Sequence, residues 1–175
     1  MKDVIKAFDQ YLKSQSLKFE AVVIGGGALI IMDVVDRKTK DIDCLDPEIP
    51  KEVKEASKAF AKLRREFLLD DNWLNNGPVT LKRELPADWR NHLQDLYVGE
   101  AIHLTCLGRA DLIKSKLFAY CDRTNPDFED LLKIKPTAKE LEDSLEWVRF
   151  RDGNPGWPAH VDLAFSVLKK ALKYE

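Results

Sequence analysis

The sequence predicts an α+β protein with a small sheet early and helices late. Three observations predict it. Strand-like segments are confined to the first 107 residues, the triplet Gly25-Gly26-Gly27 ends one of them and opens a helix, and after Gly108 every patterned segment is helical. The chain has 175 residues, 45% hydrophobic and 33% charged, which is enough for one domain with a real core. The expected organisation is a core over 1–107 and a helical region over 108–175 packed on it as a single compact unit.

The elements follow in order. Val4, Ile5, Phe8, Tyr11 and Leu12 make one apolar stripe, so 3–15 is a helix. FEAVVI, 19–24, is a short strand that stops at the glycines, and 28–35 is a short, mostly buried helix. KDIDCL, 40–45, reads as a second strand. Pro50 suits the first turn of a charged amphipathic helix over 51–69. NNGP, 75–78, is a turn, VTLKREL, 79–85, has strand alternation, and Pro86 opens a short helix through Trp89 and Leu93. AIHLTCL, 101–107, places Ile102, Leu104 and Cys106 on one face as a third core strand. Helices are expected over 109–122, 126–133, from the capping box Thr137–Glu140, and over 159–173, where Val161, Phe165, Leu168 and Leu172 point inward.

Composition removes several function classes. A net charge of −2 gives no broad field for nucleic acid. Cys44, Cys106 and Cys121 are far apart, with no CxxC and no HExxH, so neither a disulfide framework nor a zinc site is indicated; they read as buried, reduced thiols. The first residues lack the continuous apolar stretch of a signal peptide, and the longest apolar run, residues 21–32, holds three glycines and is too short for a bilayer. The expected location is the cytoplasm, with no membrane partner.

Two features carry chemistry. A strand running into Gly25-Gly26-Gly27 and then a helix lets backbone approach a bound group closely, and serves equally as a tight structural turn. The dinucleotide fingerprint fails at Ile30, and no P-loop lysine follows. On a strand, Asp41 and Asp43 point to one side and Ile42 to the other. Two such carboxylates suit Mg²⁺, or form a solvated strand edge. The charges of KEVKEASKAFAKLRREF read most simply as a solvated helix face.

A glycine turn, a short helix and an Asp-x-Asp strand together resemble the nucleotidyltransferase superfamily. Its core pairs a Gly-Gly or Gly-Ser turn with an Asp-hydrophobic-Asp strand, matched here by Gly25-Gly26 and Asp41-Ile42-Asp43. RKTKDID is similar to the arginine–threonine–Asp-Ile-Asp signature of bacterial nucleotidyltransferase-like proteins related to abortive-infection and type IV toxin–antitoxin toxins, at Arg37, Thr39, Asp41 and Asp43. Their helical C-terminal pattern is matched at Lys116, Ala119, Arg123, Asp127 and Asp130.

The resemblance implies a small mixed, polymerase-beta-like sheet with flanking helices. It implies that Gly25 and Gly26 shape a triphosphate turn and that Asp41 and Asp43 are catalytic ligands of Mg²⁺ (or Mn²⁺). Lys116 then neutralises phosphate, Asp127 completes the site with Asp130 supporting it, and Arg37, Thr39 and Lys40 contact substrate. Without the resemblance, Lys116 reads as a surface lysine and Asp127 as an acid at a helix start. The implied activity is transfer of a nucleotidyl group from a nucleoside triphosphate to a hydroxyl of RNA or protein, by the toxin of a toxin–antitoxin pair. One departure stands out. Many active members carry a third carboxylate on a neighbouring strand, expected at 101–107, and that strand has none; His103 lies there instead, with Glu84 and Glu100 as substitutes. The alternative is a catalytically degenerate member that binds nucleotide or a protein partner without turnover.

Overall fold

The computed structural model describes residues 1–32, 34, 41–77, 81–123 and 126–174. The chain forms two compact units, one of residues 1–83 and 87–108, the other of 84–86 and 109–175.

The first unit is built on a five-stranded mixed sheet. Its strands are β1 (Phe19–Ile24), β2 (Ile42–Asp46), β3 (Leu74–Asn76), β4 (Gln94–Val98) and β5 (Ile102–Cys106), in the order β3-β2-β1-β5-β4. β1 runs antiparallel to β2 and parallel to β5; β3 is parallel to β2, and β4 antiparallel to β5. Helices α1 (Lys2–Ser14) and α3 (Lys51–Leu63) bury their apolar stripes with one face of this sheet. Val4, Ile5, Phe8 and Leu12 of α1 meet Val53, Ala56 and Phe60 of α3 and Ala21, Val23, Ile42, Cys44, Ile102 and Leu104 of the strands. Phe8, Phe60 and Trp73 cluster at the centre, the Phe8 and Trp73 rings edge-on at 5.0 Å. The Trp73 indole satisfies its one donor on the Ser57 carbonyl at 3.0 Å. Helix α2 (Gly25–Ile31) follows β1 directly and packs on β1 and β2.

Several expectations shift. The strand predicted at 40–45 is Ile42–Asp46, and the helix predicted at 28–35 begins at Gly25 itself. The helix predicted to run to 69 stops at Leu63, where Arg64 adopts a non-helical conformation and a 3-10 turn, Arg65–Phe67, follows. Leu74–Asn76 is a strand where a turn was expected; its three residues are too few for periodicity to speak. Residues 81–84 are not a strand but a one-turn helix, Leu81–Glu84 (α4), made of four good helix formers. β4 gave no signal because, as an edge strand, it has no fully buried face.

One buried charge ties this unit together. Asp9 of α1 is 1% exposed. Its carboxylate accepts from the backbone N–H groups of Glu100, Ala101 and Ile102 at 3.2, 2.8 and 2.8 Å, pinning the turn between β4 and β5. A Cβ on Gly99 would lie 2.3 Å from Asp9 Oδ1, so the turn fits only with glycine there. Burial alone would raise the Asp9 pKa, but those three N–H groups and the Tyr97 hydroxyl outweigh it and hold the carboxyl below its usual range.

The second unit packs four helices, α5 (Arg109–Arg123), α6 (Asp127–Ile134), α7 (Ala138–Arg149) and α8 (Trp157–Ala171). The predicted capping box is present: Thr137 accepts from the Glu140 N–H, and Glu140 from the Thr137 N–H. Leu112, Leu117, Leu131, Leu141, Val148, Val161, Phe165 and Leu168 are buried in it. All three cysteines are buried, and burial pushes the Cys121 thiol up to about 12. Among the described residues, no helix is long and apolar enough to cross a membrane.

Replacing Asp9 with Ala orphans two buried donors and one part-buried donor, and an expected loss of about 3 kcal/mol follows, read by urea unfolding. Because the folded pKa is depressed, the Asp9 contribution is full at neutral pH and is lost as pH falls below about 4. The Asp9→Ala variant should therefore show a flatter acid limb in stability against pH than the wild type.

Candidate functional site

The site begins with an irregular register. β1 and β2 pair as Val22 with Asp46, then Val23 with Cys44 and Ile24 with Asp43, so the ladder shifts between Val22 and Val23. The shift brings Asp43 opposite the last residue of β1, and the chain then turns at Gly25. Gly25 has φ +73°, a left-handed conformation that side chains resist. A Cβ there would sit 2.8 Å from Asp43 Oδ2. Two residues on, a Cβ at Gly27 would be 2.9 Å from the Asp41 carbonyl oxygen. Gly77 closes the other side, where a Cβ would be 2.7 Å from the Asp43 Cβ. The glycine bend and the Asp-Ile-Asp segment are thus one interlocked piece of structure. Gly26, between the two glycines that make these approaches, is half-buried.

Ile42 is fully buried in the core, which directs the carboxylates on either side of it away from that core. Asp41 is exposed and Asp43 half-buried. Next door, Cys44 feels this charge: burial, with the Asp43 carboxylate adding to it, pushes the thiol up to about 12. Asp46, at the far end of β2, is taken by Lys82 and by Arg90 at 2.9 Å; burial opposes ionisation, but these cations hold its carboxyl below the usual range. Asp41 also borders a pocket of about 550 Å³ with Lys54, Asp70, Asn72, Asn75 and Asn76. Asp43 faces the glycines rather than this pocket. Arg37, Thr39 and Lys40 lie outside the described residues.

Lys54, Asp70, Asn72 and Asn75 were not picked out from the sequence. Lys54 was hidden among the many charges of α3, and Asn75 sat in what read as a turn. The neighbours of β2 also relocate the search for a third carboxylate. β5, where it was sought, pairs with β1 and β4, not with β2. His103 of β5 bonds Asp95 of β4 at 2.7 Å, a cross-strand contact. The strand that flanks β2 on its outer side is β3, and the residue aligned with Asp43 is Asn75.

In the second unit Lys116 is 5% exposed, and Asp127 and Asp130 are each 1% exposed. The Lys116 ammonium donates to Asp127 Oδ1 at 2.8 Å and to Asp130 Oδ2 at 2.7 Å, and Arg123 Nε reaches Asp127 Oδ2 at 2.9 Å. Lys116 is therefore not a surface lysine, and Asp127, the first residue of α6, is an acid at a helix start that is also buried and ion-paired. The group is a buried ion cluster that joins α5 to α6, with two of the three ammonium donors of Lys116 engaged inside it.

The family described as nucleotidyltransferase of unknown function (DUF6036) matches residues 1–147. The chain belongs to this family. Comparisons with curated proteins and with solved structures gave no match. The mixed five-stranded sheet with flanking helices agrees with a small nucleotidyltransferase-like fold.

Among the described residues, no three His, Cys, Asp or Glu side chains gather to cage a metal ion. Mg²⁺ does not need such a cage: it is commonly held by one or two carboxylates, with water and substrate phosphates completing the octahedron. Asp41 and Asp43 are a donor set of that size, and the side-chain-free surfaces of Gly25 and Gly77 leave the Asp43 carboxylate its place.

Gly25→Ala should cost about 2 kcal/mol in urea unfolding, from the left-handed backbone and the collision with Asp43. Lys116→Met should cost about 3 kcal/mol, because it leaves Asp127 and Asp130 buried without their shared cation; a change below 0.5 kcal/mol would contradict the structural role of the cluster.

Proposed function

We propose that this protein is a divalent-metal-dependent nucleotidyltransferase that moves a nucleotidyl group from a nucleoside triphosphate to a hydroxyl of RNA or protein. The observation that carries this reading is the seating of the Asp43 carboxylate against Gly25. A strand carboxylate and a bare glycine backbone, side by side, would let a phosphate chain approach the main chain while a cation held by the carboxylate countered its charge. Bound Mg²⁺ or Mn²⁺ would neutralise phosphate charge and favour ionisation of the acceptor hydroxyl. Asp43 would orient the reacting end of the triphosphate, held in place by its glycine neighbours. Asp41, exposed at the edge of the pocket, would meet the incoming groups from solvent. Lys54 supplies a positive charge on the same pocket, suited to the polyphosphate tail. In the overall reaction the acceptor oxygen bonds the α-phosphorus, the bond to the pyrophosphate oxygen breaks, and the hydroxyl proton is released. In its finest form the reading makes this chain the toxin of a toxin–antitoxin pair, with the antitoxin as partner.

A second reading, nucleotide binding without turnover, has one observation in its favour: the residue aligned with Asp43 on the next strand is the neutral Asn75.

The test uses each of the four nucleoside triphosphates, labelled at the α-phosphate, with Mg²⁺ or Mn²⁺ and with RNA or protein acceptors. Transfer that Asp41→Asn and Asp43→Asn each reduce at least a hundredfold is the expected result. A nucleotide-dependent rise in melting temperature with no transfer would favour the second reading, since a ligand of the folded state raises stability. No shift with any nucleotide would overturn both.

A further inference from the structure

The alignment of Asn75 with Asp43 says more than that a carboxylate is missing. In a parallel pair, aligned residues present their side chains to the same face of the sheet. Asn75 therefore stands beside Asp43, on the strand that flanks β2. It also borders the pocket that Asp41 borders. Its Nδ2 donates to the Ile42 carbonyl at 3.5 Å, the long limit of a hydrogen bond and one that is readily exchanged. Asn76 is different. Its Nδ2 bonds Cys44 O at 3.3 Å and Pro47 O at 3.2 Å, and its Oδ1 takes the Ile49 N–H at 3.1 Å, so it is committed to fixing the segment after β2. Gly77, next in line, lies against the Asp43 Cβ. Both asparagines bond the β2 backbone, but the Asn75 bond is the longer, and Asn75 is the one aligned with Asp43.

We propose that Asn75 occupies the third ligand position of the metal site and, as a neutral amide, limits it to a weakly held divalent cation. The proposal rests on the nucleotidyltransferase reading above. An amide carbonyl is a competent oxygen ligand for Mg²⁺ or Mn²⁺ but brings no charge, and affinity in oxygen-ligated sites rises with the number of charged ligands. The chain would then be built to take its cation together with a triphosphate, whose oxygens supply the missing charge.

The experiment measures Mn²⁺ binding alone, by electron paramagnetic resonance of the unbound ion, on the full chain. Wild type, Asn75→Asp, Asn75→Ala, Asp43→Asn and Asp70→Asn are compared, each checked for folding by its melting curve. Asn75→Asp should tighten Mn²⁺ binding about tenfold and Asn75→Ala should weaken it about threefold. Asp70→Asn should leave it unchanged. Wild-type binding that depends on Asp43 but is within twofold in both Asn75 variants would overturn this assignment and leave the functional reading standing. A loss in Asp70→Asn as large as in Asp43→Asn would give the third position to Asp70 and overturn it as well. Absence of Mn²⁺ binding in both wild type and Asn75→Asp would overturn the assignment and the metal reading together.

Discussion

The contact between the Asp43 carboxylate and the bare backbone of Gly25 is the constraint from which the rest of the first unit follows. It demands a residue without a side chain at a left-handed φ, and it demands a strand whose second acidic side chain faces that residue. Once both are in place, α2 must leave β1 without a loop, because the helix starts at the glycine itself. Gly27 then lets the helix settle on the Asp41 carbonyl. Ile42, caught between two carboxylates, anchors the segment to the core on the opposite side. A carboxylate held this way is restrained by packing on two sides, by Gly25 and by Gly77.

The structure handles its other buried charges by a different route. Asp9 is answered by three backbone N–H groups, and Lys116 by two carboxylates. Both solutions lock secondary elements together, α1 to the β4–β5 turn in one unit and α5 to α6 in the other. A buried charge is expensive, and for Asp9 and Lys116 the compensating groups lie within the same unit. Asp41 differs from these in being exposed at the border of a pocket.

Much of this was legible in the sequence where a pattern was long or chemically unusual. The span of β1 was read to the residue, because FEAVVI is apolar, β-branched and stopped by glycine. The stripe of α1, the capping box of α7 and the helical run after Gly108 followed from periodicities that long helices cannot conceal. The family followed from Gly25-Gly26 and Asp41-Ile42-Asp43, and residues 1–147 match it. What stayed hidden was short or depended on pairing. Leu74–Asn76 is a strand only because β2 offers it a ladder. Asn75 acquires meaning only from that register, and Lys54 only from the fold of the pocket. Lys116, Asp127 and Asp130 could be chosen as a group only through the family resemblance, and that they bond one another depends on how α5 and α6 are placed.

The register shift between Val22 and Val23 has a consequence for how this sequence can vary. Upstream of it the two strands are in one phase; downstream they are in the other. A single residue gained between Val23 and Ile24 would push Ile24 into the place of Gly25, while β2 kept its own phase. The acidic tip would then confront a β-branched side chain instead of an open main chain. An insertion should therefore be intolerable across these few residues.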